Sequence, residues 1–205
     1  WRYTLYTSGE EELFRVDRGQ IHGRDLLERG RYLGRAERLR EELDRELRKQ
    51  GAKLVEEGES CVGGGRDEVF VVIGDGEAAW RGGDDVYHVT KAAEVVEEAG
   101  GGEDLVFLGG AARWRLPDHV ENAVLTSGSR TRLVGNGEDN ALTGGDRADR
   151  LLGREGNDRI DGGGGSDRVG GGRGDDLLQG AKGDDTAGGG FGADTIDGGN
   201  GDDNI

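Results

Sequence analysis

Methionine is absent from this chain, cysteine and proline occur once each, and aromatic residues make up only 5% of it. Each shortage removes an option. A single cysteine, Cys61, cannot close an internal disulfide, so stability in an oxidising compartment has to come from elsewhere. With hydrophobic residues at 32%, there is little material for a conventional core. No apolar run approaches the length of a membrane-spanning helix. Basic residues number 27 against 43 acidic ones, and the net charge of -16 argues against a nucleic-acid partner and favours a cationic one. With Trp1 in first place and no methionine anywhere, the sequence reads as a piece of a longer frame, so the lack of a signal peptide carries no information.

The usual catalytic signatures are missing too. His22, His88 and His119 are scattered, and none stands in an HExxH motif. There is no G-x-S-x-G elbow, no P-loop and no EF-hand loop. Cys61 has no base near it in sequence and reads as an inert thiol. The reading is that this chain is not an enzyme.

Glycine is what the chain has in excess, at 43 positions, and without the three-residue period of collagen. From residue 135 it falls into nine-residue units without a gap: GNGEDNALT, GGDRADRLL, GREGNDRID, GGGGSDRVG, GGRGDDLLQ, GAKGDDTAG, GGFGADTID and the shorter GGNGDDNI. Each opens on glycine. Position six holds Asn140, Asp149, Asp158, Asp167, Asp176, Asp185, Asp194 and Asp203, and position eight is apolar throughout, from Leu142 to Ile205. A disordered linker has no reason to keep such a phase. Six residues of turn chemistry followed by three extended ones make one turn and one short strand, so two units form one coil of a parallel β-solenoid. Unit n then stacks on unit n+2. One wall carries Leu142, Ile160, Leu178 and Ile196 inward and the other Leu151, Val169, Ala187 and Ile205.

That seam is thin, and the turns must supply the rest. Stacking pairs Asp149 with Asp167, Asp158 with Asp176, Asp167 with Asp185, Asp176 with Asp194, and Asp185 with Asp203. Carboxylates so placed repel unless a cation lies between them. Calcium takes six to eight oxygen ligands and tolerates irregular geometry, while glycine lets turn carbonyls face inward. The paired acids Asp175-Asp176 and Asp184-Asp185 could suggest acid–base work, but their ninefold phase favours ligation.

These residues resemble the RTX, or hemolysin-type calcium-binding, nonapeptide GGxGxDxUx, in which U is a large aliphatic residue. The resemblance implies a mainly β fold, a right-handed parallel β-roll with Ca²⁺ between turns. The implied ligands are Asp149, Asp158, Asp167, Asp176, Asp185, Asp194 and Asp203, with the turn glycines Gly156, Gly165, Gly174, Gly183, Gly192 and Gly201. The five aspartate pairs imply up to about five ions. The Asn140–Asp158 pair is expected to be poor, since Glu138 replaces a turn glycine, and Arg147 weakens the Asp149–Asp167 site in the same way. Upstream, residues 82–129 look like the segment that precedes such repeats, departing at Leu125-Thr126-Ser127-Gly128 and at the charged RWR of 113–115. VGGGRDEVF (62–70) fits a degenerate repeat, with Asp67 eighteen residues before Asp85 as a further stacked pair.

Residues 3–21 read as a β-hairpin joined at Ser8-Gly9. Residues 24–57 read as an amphipathic helix with Tyr32, Ala36, Leu39, Leu43 and Leu47 on one face, suited to capping the first coil. The organisation expected is therefore an N-terminal hairpin plus helix over 1–60, a degenerate repeat-associated β region over 61–134, and the nonapeptide β-roll over 135–205. For such a family the resemblance implies a secreted bacterial protein that leaves through a type I channel and folds outside in calcium. Two other readings stand beside it. One is an adhesin or polysaccharide-binding module, with Arg150, Arg159 and Arg168 offering a basic stripe to an acidic glycan or cell surface. The other is the tail of a secreted protease, lipase or toxin whose catalytic part lies elsewhere.

Overall fold

The computed structural model describes residues 2–5, 11–17, 20–22, 52–55, 60–62, 67–72, 77–80, 82–90, 94–97, 99, 102–109, 113–126 and 128–205. Three short strands come first: β1 (Arg2–Leu5), β2 (Glu11–Asp17) and β3 (Gln20–His22), paired antiparallel in the order β1-β2-β3. The turn expected at Ser8-Gly9 and residues 24–51 of the expected helix lie outside the described residues. The end of that helix is corrected, because Ala52–Val55 is a strand. It pairs in parallel with the apolar strand Val69–Val72, residue for residue from Ala52 beside Val69 to Val55 beside Val72.

From there the chain coils. The strands are β4 (Ala52–Val55), β5 (Ser60–Val62), β6 (Val69–Val72), β7 (Glu77–Trp80), β8 (Val86–Thr90) and β9 (Glu94–Glu97). They continue with β10 (Leu105–Gly109), β11 (Arg113–Arg115), β12 (Asn122–Leu125), β13 (Arg132–Val134) and β14 (Ala141–Thr143). Last come β15 (Arg150–Glu155), β16 (Arg159–Asp161), β17 (Arg168–Arg173), β18 (Leu177–Gln179), β19 (Thr186–Phe191) and β20 (Thr195–Asp197). Even-numbered strands from β4 to β20 form one nine-stranded sheet. The odd ones face it as β5-β7-β9 and β11-β13-β15-β17-β19. Every pairing in these sheets is parallel, each strand lying beside the one two further along. The result is a parallel β-solenoid, and no helix occurs among the described residues. Accordingly none is present there that could cross a membrane.

The walls meet along a single apolar seam. In the repeats Leu142, Ile160, Leu178 and Ile196 stand in register on one side, and Leu151, Val169 and Ala187 on the other. Only the middle residue of each short strand points inward, as the buried Leu142, Ile160 and Leu178 show. One residue per strand is why the seam is thin. Earlier coils are better filled, with Phe70, Tyr87, Val106, Leu108, Leu116 and Val120 all buried in the same cluster.

Coil length changes along the ladder, which sets what stacks on what. Val69 pairs with Val86 and Val86 with Leu105, steps of 17 and 19 residues. From Ala141 onward the step is a constant 18, with Ala141 beside Arg159 and Arg159 beside Leu177. Among the described residues three without glycine's freedom hold positive φ, His119 (68°), Arg154 (103°) and Ala181 (75°), the last two where the repeat elsewhere places glycine.

Candidate calcium-binding turns

Two rows of turns flank the solenoid. One row, 135–140, 153–158, 171–176 and 189–194, ends on Asn140, Asp158, Asp176 and Asp194. The other, 144–149, 162–167, 180–185 and 198–203, ends on Asp149, Asp167, Asp185 and Asp203. Within each row the residues at position six are wired together through the backbone. The N–H of Asp158 donates to Oδ1 of Asp176 at 2.8 Å, and that of Asp176 to Oδ1 of Asp194 at 3.0 Å. In the other row Asp149 donates to Asp167 (2.7 Å), Asp167 to Asp185 (2.7 Å) and Asp185 to Asp203 (2.9 Å). The structure thus brings together all five aspartate pairs read from the sequence.

Only one oxygen of each carboxylate is used in this way. Oδ2 of Asp158, Asp167, Asp176 and Asp185 is buried and has no hydrogen-bond partner. Buried carboxylate oxygens are costly to leave unpaired, and a row of them is a donor set for a hard cation. The first glycine of each turn makes room for that oxygen: a Cβ at Gly162 would stand 2.8 Å from Oδ2 of Asp167, and one at Gly180 2.6 Å from Oδ2 of Asp185. The fourth residues, Gly156, Gly165, Gly174, Gly183, Gly192 and Gly201, all hold positive φ, between 105° and 140°. A Cβ at Gly174 or Gly183 would also collide with the carbonyl oxygen of Gly156 or Gly165 in the preceding coil. Glycine is needed there by both backbone shape and space.

Without a cation the carboxyls resist ionisation. Burial pushes Asp158 up to about 6 and Asp167 up to about 7, against the backbone hydrogen bond each accepts, and the stacked Asp176 and Asp185 add repulsion. Asp176 and Asp185 are raised for the same first reason.

Two positions differ from this pattern. Asn140 turns its amide to Asn136, giving Nδ2–H to Oδ1 of Asn136 and accepting the N–H of Asn136, both at 2.9 Å. Asn136 in turn donates to the carbonyls of Pro117 (2.7 Å) and Val120 (2.8 Å). This amide network fills the position that aspartate holds further along the row. Asp149 accepts from Thr131 N–H on Oδ1 (2.7 Å) and from Gly145 N–H on Oδ2 (3.0 Å), so both its oxygens are engaged. Its turn also carries Arg147, which donates from Nε to the carbonyl of Gly128 at 3.1 Å.

The paired acids divide their work. Exposed position-five residues accept from the following coil: Asp175 Oδ1 from Ala193 N–H (2.8 Å) and Asp184 Oδ1 from Asp202 N–H (2.9 Å). Their position-six neighbours accept from the preceding coil and point inward.

Upstream the stacking differs from the sequence reading. Because the coil from β6 to β8 spans 17 residues, Asp85 stands beside Glu68, whose N–H it accepts at 2.7 Å. Asp67 instead accepts the N–H of Asp84 at 3.1 Å, so the Asp67–Asp85 pair is corrected. The row continues from Asp85 to Asp104 (2.8 Å) and from Asp104 to Glu121 (2.8 Å). Asp104 and Glu121 were hidden from the sequence by these uneven coils. The signal that finds them is the strand spacing, VFVV, VYHV and LVFLG at 69, 86 and 105.

The arginines are also redistributed. Arg150 and Arg168 are cross-strand neighbours on β15 and β17, but Arg159 lies on the opposite sheet beside Ala141 and Leu177. Arg113 and Arg132 take its place, giving an in-register row Arg113–Arg132–Arg150–Arg168. Arg113, Arg150 and Arg168 are exposed.

Residues 134–169 and 170–205 each match the RTX calcium-binding nonapeptide repeat, in blocks of four copies. No curated protein and no solved structure matches the chain.

Proposed function

Because residues 134–205 belong to the RTX calcium-binding nonapeptide repeats, we propose that the chain is the calcium-gated β-roll of a secreted protein, folding as its turns take up the ion. The observation that carries this is the recurring buried Oδ2 without a partner at Asp158, Asp167, Asp176 and Asp185. Calcium between stacked turns would be held by these carboxylates, by Asp194 and Asp203 in the last coil, and by carbonyls of the glycine turns. Four pairs are strong candidates: Asp158–Asp176, Asp167–Asp185, Asp176–Asp194 and Asp185–Asp203. The Asp149–Asp167 pair is a weaker fifth, since Asp149 spends both oxygens on backbone N–H groups. At low calcium the carboxylates repel and the glycines favour the disordered chain. At millimolar calcium, binding energy becomes folding energy. That coupling suits passage through a type I channel in the unfolded state, and a chain with one cysteine has no internal disulfide to impede it. The role of these repeats is structural, and no catalytic step is assigned to them.

Far-ultraviolet circular dichroism during a calcium titration tests the reading, with magnesium as the control. A cooperative gain of β signal in calcium alone is the expected result. A spectrum indifferent to calcium would sink it.

A second reading rests on the arginine row. Four like charges in register cost stability, because directly opposed like charges repel across a sheet. With strands about 4.8 Å apart, the row spans roughly 14 Å, a length suited to a few units of an acidic polysaccharide. Replacing Arg150 and Arg168 with glutamine in the calcium-loaded protein should weaken binding of short uronate oligomers at least about tenfold. Unchanged binding, or none by the parent, removes this reading and leaves the calcium module intact.

A further inference from the structure

The irregular coils ahead of the matched repeats hold a second kind of acidic site. Asp85 and Asp104 occupy the turns before β8 and β10, and both are 0% exposed. Glu97 comes from the facing wall, on β9, where the alternation Val95 in, Val96 out, Glu97 in puts a carboxylate in a core slot at 6% exposure. Tyr87, fully buried on β8, donates its hydroxyl to Oε2 of Glu97 at 2.8 Å and fixes that side chain. One oxygen from each of Asp85, Glu97 and Asp104 lies within 4.8 Å of the other two.

An acidic cluster alone says little, but the aspartates here are oriented. Oδ1 of Asp85 accepts the N–H of Glu68 at 2.7 Å, and Oδ1 of Asp104 the N–H of Asp85 at 2.8 Å. Oδ2 of each is buried with no partner. Three carboxylates converging inside a protein repel strongly unless protons or a cation separate them.

We propose that Asp85, Glu97 and Asp104 bind one calcium ion in the solenoid interior, at a site distinct from the glycine turns of the repeats. All three donors are hard oxygens, which suit calcium, magnesium or manganese rather than a thiolate-seeking metal. Calcium bonds to oxygen at about 2.3–2.6 Å, so oxygens across one ion stand up to about 5 Å apart, and the cluster fits that span. Magnesium dehydrates reluctantly and is poorly served by an all-protein buried set. The donor set also differs from a repeat turn. Its third carboxylate comes from a strand of the other wall, and Tyr87 positions it.

Tyr87 provides the test. Terbium(III) occupies calcium sites and emits when an excited tyrosine or tryptophan ring nearby transfers energy to it. Residues 135–205 contain neither tyrosine nor tryptophan, so terbium in the repeats should stay dark under aromatic excitation. Titrating the 205-residue chain with terbium chloride is expected to give saturable sensitised emission that calcium displaces. Glu97→Gln keeps an acceptor for the Tyr87 hydroxyl and removes one charge. It should raise the terbium midpoint at least about tenfold, as should Asp104→Asn. Asp175→Asn, at an exposed position of the repeats outside the ion slots, should leave the emission unchanged. No emission from the parent when dialysis shows terbium bound would overturn the site, and so would an emission curve unmoved by both Glu97→Gln and Asp104→Asn. Either failure is separable from failure of the repeats, which the dichroism titration reads independently.

Discussion

Freed of divalent ions, the protein is expected to lose stability as the pH rises from about 4 to 7, the opposite of the usual behaviour of a carboxylate-rich fold. An Asp whose folded pKa lies above its ordinary value of 3.8 is better accommodated protonated, so folding takes up protons between those two values. The stability it contributes is full at low pH and lost as pH climbs through the folded value, about 6 for Asp158 and about 7 for Asp167. Asp85 and Asp104, raised to about 6 and about 7, act in the same direction. Calcium reverses the trend. Each ion must displace the protons held between stacked carboxyls, so its binding tightens with pH, by up to about tenfold per pH unit for each proton released. The β signal in far-ultraviolet circular dichroism from pH 4.5 to 8, in metal-free buffer and again in calcium, checks both halves. A metal-free β signal that climbs across that range would mean the aspartates fold as ordinary exposed carboxylates, and the ion slots would lose their basis.

Where coil length is constant, the sequence was enough. From residue 135 onward each position-six aspartate lies eighteen residues from its partner, and the ladder from Asp149 to Asp203 could be written down before any coordinates. The same regularity located the buried Leu142, Ile160 and Leu178. Upstream the step changes to 17 and then 19, which moves a turn residue by one place while leaving the strands paired. Period counting therefore attached Asp67 to Asp85 and passed over Asp104. Glu97 was invisible for another reason. A charged residue in a strand normally faces solvent, and only the alternation fixed by buried Val95 shows that this one faces in. The arginine stripe failed because consecutive nonapeptides alternate walls, so Arg159 cannot neighbour Arg150 or Arg168. The amide plug at Asn136 and Asn140 needed the structure as well, since its acceptors, Pro117 and Val120, come from a coil outside the regular repeats.

Asp176→Ala should impair the roll far more than Asp203→Ala, although both remove an aspartate from the same position of the repeat. Each change costs one acceptor for a backbone N–H: that of Asp158 at 2.8 Å in the first case and that of Asp185 at 2.9 Å in the second. The hydrogen-bond loss, about 1–3 kcal/mol for an orphaned buried donor, is therefore similar in kind. What differs is ligation. Asp176 stacks with Asp158 on one side and Asp194 on the other, so it serves two ion slots, whereas within residues 1–205 Asp203 stacks with Asp185 alone. In a solenoid each coil is stabilised by its nearest neighbours, so a gap in mid-ladder breaks two interfaces and one at the last coil frays an edge. At saturating calcium the Asp176 variant should hold two ions fewer than the parent and the Asp203 variant one fewer, with folding midpoints displaced about tenfold and a few-fold respectively. Asp175→Ala separates ligation from charge. Its side chain is exposed and caps only the N–H of Ala193, so the midpoint should barely move. Equal midpoints for the Asp176 and Asp203 variants would show that each aspartate acts within its own turn, because only an ion shared between coils makes position along the ladder matter.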